Sequence, residues 1–327
     1  MIVVIDADPI VYRCGFAAEH TSWHLVYETP NCEVEEIEFS GTDEQSAGEQ
    51  MRAWLALNPH VVVLDKSRVV TPDPVSYALR ATNVQIDSIM AECEQRYKEP
   101  GRMVMYISGA GGSYRDKIAT VRPYKGNRDP SHKPVHYHAI RDHLRTRYNS
   151  YITSGIEADD AVSIFAHQLL STGGESFVVA TIDKDLDQIP GNHYNYMTKT
   201  FYAITQDEAE RWFIYQLLAG DITDNIVGIW KCGEKQATAI LGNLRIGERR
   251  RDAKAGEGAV SPHWWPAVLA AYRDSQSRPN CPYASRDPEA IAIEMAQLVK
   301  LQEYPGQLWH PYGDLVVPGF GEENFDG

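Results

Sequence analysis

The sequence predicts an α/β protein in which a central, mostly parallel sheet is flanked by helices and followed by a helical C-terminal part. Three short apolar runs carry this reading: IVVID (Ile2 to Asp6), RMVMYIS (Arg102 to Ser108) and FVVAT (Phe177 to Thr181). Each ends abruptly in polar residues, as buried strands do. Longer segments with apolar residues at helical spacing lie between them, the alternation that builds parallel sheets. Ligands collect beyond the carboxyl ends of such strands, and Asp6, Ser108 and Asp183 all close or follow a strand.

The elements follow in order. Ile10 to Glu19 continues the first strand as a helix. WHLVYE and EVEEIEF alternate apolar and polar residues around TPNC, a hairpin pattern, and VVVLDKS is a further strand. The acidic stretch from Glu33 to Glu49 reads as solvated surface, and residues 21–77 as an insertion outside the chemistry. Val84, Ile86, Ile89, Met90 and Cys93 mark a helix over 83–97. After the strand ending at Ser108, GAGGS reads as a flexible turn rather than a phosphate cradle. YRDKIATVRPYKGNRDPSHKP, broken by Pro123, Pro130 and Pro134, is expected to be a mobile loop or arch within a segment of about 113–147, with a helix from Val135 to Arg147.

SYIT makes a short strand that leads into GIEADD. Apolar Ala161, Val162, Ile164, Phe165, Leu169 and Leu170 then define a helix with Asp159 and Asp160 at its start. HYNYMTKTFYAIT is a hairpin around Thr198 to Thr200, and 207–218 a helix opened by Gln206 or Asp207. It ends at GDITDNIVGI, where Asp221 and Asp224 are three apart. KCGEKQATAILG is a glycine turn opening a helix, which can present backbone N–H groups to a phosphate. ERRRDAK reads as a charged loop. HWWPAVLAAYRD and EAIAIEMAQLVKLQEY read as helices in which Trp264 and Trp265 pack, and the tail GFGEENFDG reads as disordered.

Composition is that of a globular protein without a membrane span, and the cytoplasm is the expected compartment. The five cysteines form no CxxC pair, which argues against a zinc ribbon or a redox motif. A net charge of −14 argues against a polyanionic partner until its distribution is considered. From Arg115 to Arg147 nine Lys or Arg stand against three Asp. This basic segment accompanies a carboxylate set of Asp6, Glu157, Asp159, Asp160, Asp183, Asp185, Asp221 and Asp224. Taken singly, the same acids serve equally well as helix caps and turn formers. Together they would raise one another's pKa unless cations intervene, and oxygen-only ligands favour Mg²⁺ or Mn²⁺ over zinc. Two such ions suit phosphodiester hydrolysis, with Lys125 and Arg128 neutralising the scissile phosphate.

The ordered motifs IDADP, YRD followed by YKGNR, GIEADD, TIDKDLDQIP, GDITDNIVGI and KCGEKQATAIL resemble the 5′ nuclease family, the flap endonuclease and PIN-like superfamily. The match runs from about Met1 to Gly242, apart from the insertion. The resemblance implies a PIN-like core over 1–220, a helix-three-turn-helix and C-terminal helices over 221–318, and a tail over 319–327. It implies a 5′→3′ exonuclease and flap endonuclease acting on 5′ ends, nicks or flaps of duplex DNA, with RNA–DNA hybrids and replication proteins as further partners, and a monomeric state. Asp6, Glu157, Asp159 and Asp160 match the ligands of a first metal, with Asp6, Asp159 and Asp160 also in the catalytic set. Asp183, Asp185, Asp221 and Asp224 match those of a second. Lys125 and Arg128 match the arch residues that act on the phosphate. Arg115, Lys117, Arg122, Tyr124, Lys231, Gly233 and Lys235 are expected on DNA together with them. Gly228 to Leu241 matches the helix-three-turn-helix, which often holds a monovalent cation such as K⁺. Ser108 departs from the family, which has Asp there; Asp8 is a candidate to compensate, and Asp187 has no assigned role. Two alternatives remain open, a PIN-type ribonuclease and a catalytically silent DNA-binding factor.

Overall fold

The computed structural model describes residues 1–41, 44–129, 133–243 and 263–317. The charged loop ERRRDAK and the 319–327 tail lie outside the described residues. The chain forms two compact units, one of Met1–Pro9, Asp87–His132 and Leu144–Gly327, the other of Ile10–Ile86 and Lys133–His143. No division falls at residue 220: the C-terminal helices belong to the unit that holds the sheet. The second unit is wider than the 21–77 insertion expected and encloses it.

The elements in chain order are β1 (Ile2–Asp6), α1 (Asp8–Phe16), β2 (Glu19–Glu28), β3 (Val34–Ser40), α2 (Glu44–Leu57), β4 (Val62–Pro72), α3 (Val75–Tyr97), β5 (Arg102–Ile107), α4 (Tyr114–Ile118), α5 (Tyr137–Tyr148), β6 (Tyr151–Ile152), α6 (Ala158–Thr172) and β7 (Phe177–Ala180). After a 3₁₀ turn at Lys184–Gln188 come β8 (Gly191–Asn195), β9 (Thr200–Ile204), α7 (Gln206–Ala219), α8 (Glu234–Asn243), α9 (Trp265–Gln276) and α10 (Pro288–Val299).

In the first unit, six strands among the described residues form one sheet in the order β6-β5-β1-β7-β8-β9, parallel except for the β8/β9 hairpin. β1 is central and buried throughout, which explains its unbroken apolar run. Asp6 pairs with Tyr106 and Ile5 with Ala180, so Asp6, Ser108 and Asp183 leave the sheet at one edge as expected. Ile2, Val4, Val104, Val179 and the apolar stripe of α6 form a core on one side. A second core joins α7, α8, α9 and α10, with Trp264 and Trp265 inside it, so both tryptophans pack. α7 opens at Gln206 as expected and is capped by Thr205, whose hydroxyl oxygen accepts from the Glu208 N–H. α10 stops at Val299, short of the helix expected through LQEY.

The second unit holds the predicted hairpin and third strand as a sheet of order β3-β2-β4. Leu25, Tyr27, Phe39 and Met51 form its core with Trp54 of α2 packed against them. The stretch expected as solvated surface, Glu33 to Glu49, runs into the start of α2, where a narrow stripe through Ala47, Gly48 and Met51 is buried, too little to show as a helical period. The Asp73 N–H donates to the Ala18 carbonyl at 2.9 Å, so the chain enters and leaves this sheet at one point.

Candidate metal centre

Four local features place carboxylates at one edge of the first unit, and a fifth lays a basic segment against them. β1 delivers Asp6, which is buried at 1% exposure. α6 begins directly after Glu157, which puts Asp159 in its first turn. Asp183 caps the 3₁₀ turn beyond β7, its carboxylate accepting from the Asp185 N–H at 2.9 Å. Gly220, at φ 74°, ends α7 and turns the chain into the Asp221–Asp224 loop, where Asp221 Oδ1 accepts from the Thr223 and Asp224 N–H groups. The segment Pro123 to Arg128 lies against that loop: Lys125 N donates to the Asp224 carbonyl, and the Asn127 amide to the Ile222 carbonyl. This stretch was expected to be mobile; the structure docks it on the acidic turn.

Asp159, Asp183, Asp185, Asp221, Asp224 and Arg128 line an open cleft of about 760 Å³. One carboxylate oxygen from each of Asp185, Asp221 and Asp224 lies within 4.8 Å of the others. Burial first, then Asp8 and Asp183, push the Asp6 carboxyl far up; burial, Asp6, Glu157 and Asp183 do the same to Asp159. Asp183 is raised by burial and by Asp224 and Asp221. Asp185 is pushed up to about 7 by burial and by Asp183, Asp221 and Asp224. Glu157 differs. Burial acts to raise it, but Lys125, Arg115 and the Tyr124 hydroxyl outweigh burial and hold it below its ordinary value. All-oxygen donors that disfavour their own ionised state, gathered at an open cleft, fit a hard divalent cation.

The basic residues behave in two ways. Lys125 Nζ pairs with Glu157 and lies 3.8 Å from Asp224, while Arg128 pairs with Asp224. The Tyr124 hydroxyl lies 2.7 Å from Glu157 and 2.8 Å from Asp224, spanning both sides of the cluster. Arg115 is instead buried at 2% exposure and forms a two-pronged pair with Asp160 at 2.5 and 2.9 Å. Both Asp160 oxygens are thereby engaged away from the cleft. The structure therefore separates these two from the expected sets: Asp160 from the metal ligands and Arg115 from the exposed DNA-binding surface. Arg122, Lys231 and Gly233 line a neighbouring groove with Trp230, Lys235 is exposed on α8, and Lys117 is exposed on α4.

Ser108 Oγ accepts from the Ala158 N–H at 2.9 Å and so holds the start of α6. Asp8 accepts from the Ser108 N–H at 3.2 Å. Asp187 turns toward Tyr202 and stands apart from the cluster. Gln216 was not anticipated: its amide donates to Asp185 Oδ1 at 2.7 Å. Its only signal in the sequence is a polar residue among the apolar positions of α7.

No family model matches the chain. Among curated proteins, the exonuclease of Escherichia phage T7 is 32% identical over 128 residues, 38% of this chain and 42% of that protein. Flap endonuclease Xni of Shewanella piezotolerans is 27% identical over 157 residues, 45% of this chain and 60% of its own length. The chain thus spans about half the length of these relatives. Among solved structures, the phage T5 D15 protein co-crystallised with metal ions aligns over 92% of this chain and 89% of its own, with a TM-score of 0.48 and 13% identity. Among the described residues no helix is long and apolar enough to cross a membrane. By sequence, part of this chain is similar to a phage exonuclease, to a 5′-3′ exonuclease of Buchnera aphidicola and to bacterial flap endonucleases.

Proposed function

We propose that the protein is a divalent-metal-dependent 5′→3′ exonuclease and flap endonuclease that hydrolyses phosphodiesters at the 5′ ends of duplex DNA. One observation carries the reading: carboxylates from three separate chain segments, Asp159, Asp183 with Asp185, and Asp221 with Asp224, line one cleft, with Asp6 buried beside Asp159 and with Lys125 and Arg128 on Asp224. Asp6, Glu157 and Asp159 would hold one Mg²⁺ or Mn²⁺, and Asp183, Asp185, Asp221 and Asp224 a second. Bound there, such ions supply an activated water and stabilise the leaving oxygen. Lys125 and Arg128 exchange their carboxylate partners for the scissile phosphate and orient it. Tyr124, whose hydroxyl lies between Glu157 and Asp224, belongs to the same DNA-contacting set. The exposed Lys231, Gly233 and Lys235 at the start of α8 hold the duplex backbone, with K⁺ as an additional ligand of that turn. Nicked and flapped duplexes are the expected substrates, RNA–DNA hybrids a further one, and replication proteins the expected partners of a monomer in the cytoplasm of its host.

Asp159→Ala is expected to abolish cleavage of a 5′-labelled flap in Mg²⁺ while leaving binding of that flap intact. Wild-type protein that binds nicked or flapped DNA but leaves it uncut in both Mg²⁺ and Mn²⁺ would overturn the proposal. Release from DNA against RNA 5′ ends separates it from a PIN-type ribonuclease.

A further inference from the structure

Residues 298–302, where α10 gives way to extended chain, touch both halves of the acidic cluster through intermediaries. The backbone is extended at Lys300, with φ −71° and ψ 126°, so successive peptide groups face opposite sides. On one side, Arg115 Nε donates to the Leu298 carbonyl at 2.8 Å and Arg115 Nη2 to the Lys300 carbonyl at 3.1 Å. The Gln302 N–H donates to Asp160 Oδ1 at 3.2 Å. On the other side, Gln188 Nε2 donates to the Val299 carbonyl at 2.7 Å, and the Leu301 N–H to Gln188 Oε1 at 3.2 Å. Gln188 Nε2 also donates to Gln216 Oε1 at 2.7 Å, and Gln216 in turn donates to Asp185.

We infer that this segment is a strut that positions both metal-binding halves: Arg115 and Asp160 set the start of α6, with Glu157 and Asp159, while Gln188 and Gln216 set Asp185. The inference rests on the two-metal reading above. Arg115, Asp160, Gln188 and Gln216 are all nearly inaccessible to solvent. Burying such groups costs free energy that an apolar set of the same volume would avoid, so packing alone does not account for them. Their bonds do determine direction. Because Gln216 Oε1 is taken by Gln188, its N–H₂ can only face Asp185, which keeps that carboxylate aimed at Asp221 and Asp224. Arg115 and Gln216 are thus positioning residues that act through Asp160 and Asp185.

The test counts Mn²⁺ ions by electron paramagnetic resonance in wild type, Arg115→Lys, Gln188→Met and their double variant, beside flap cleavage. Wild type is expected to bind two ions tightly. Each single variant should keep one at wild-type affinity and weaken the other by about 10- to 100-fold, and the double variant should weaken both. Thermal melting in EDTA is expected to separate this from unfolding, and Gln216→Met replaces Gln188→Met if the latter does not fold. Folded variants that bind two ions like wild type would overturn the strut alone. Wild-type protein that binds no Mn²⁺ would overturn the strut and the nuclease reading together.

Discussion

Asp185 shows what a single residue contributes. Its carboxyl moves from an ordinary value of 3.8 to about 7 because it is buried among Asp183, Asp221 and Asp224. A folded-state pKa above the unfolded one means that the folded protein binds the extra proton between those values. Stability is therefore present below about pH 4 and lost as pH rises through 7. Metal-free protein should lose on the order of 4 kcal/mol from this group across that window. A divalent cation should restore it, so the rise in melting temperature caused by Mg²⁺ is expected to be larger at pH 8 than at pH 5. Equal Mg²⁺ shifts at both values would contradict this. Individual residues were also where the sequence was least legible. EADD places two aspartates side by side, yet adjacent residues on a helix point about 100° apart. Asp159 reaches the cleft and Asp160 turns to Arg115. Spacing alone states that geometry, but not which of the two faces inward.

At the level of elements, the sheet was legible because buried parallel strands leave unbroken apolar runs, as β1, β5 and β7 do. Their order also brought Asp6 and Asp183 to one edge. α2 was not legible, since its buried stripe is narrow, and neither was the docking of Pro123 to Arg128, which depends on bonds to a loop about a hundred residues away. The turn carrying Asp221 and Asp224 depends on close backbone approach. Gly220 has φ 74°, and a Cβ there would lie 2.7 Å from the Gly228 amide nitrogen. Gly220→Ala should therefore destabilise the fold by about 1–3 kcal/mol and impair metal binding more than DNA binding. Chemical denaturation and a Mn²⁺ titration together check this. Unchanged values would show that the turn tolerates a side chain.

Over the whole molecule, a charge of −14 coexists with a nucleic-acid reading because the acids and bases are segregated along the chain. The sheet-bearing unit holds every group of the proposed centre. The β2-β3-β4 sheet lies in the other unit and contributes none of them. Replacing residues 19–72 by a short Gly-Ser turn is expected to leave a folded protein that still binds two Mn²⁺, as read by melting and resonance. Loss of folding would show that the small sheet supports the rest. The Ala18–Asp73 hydrogen bond gives the reason for this expectation. A segment whose ends already meet adds only a slowly growing closure entropy, however long it becomes. In evolutionary terms, such a segment can be acquired, exchanged or discarded in a single recombination without adding or removing a residue of the proposed centre.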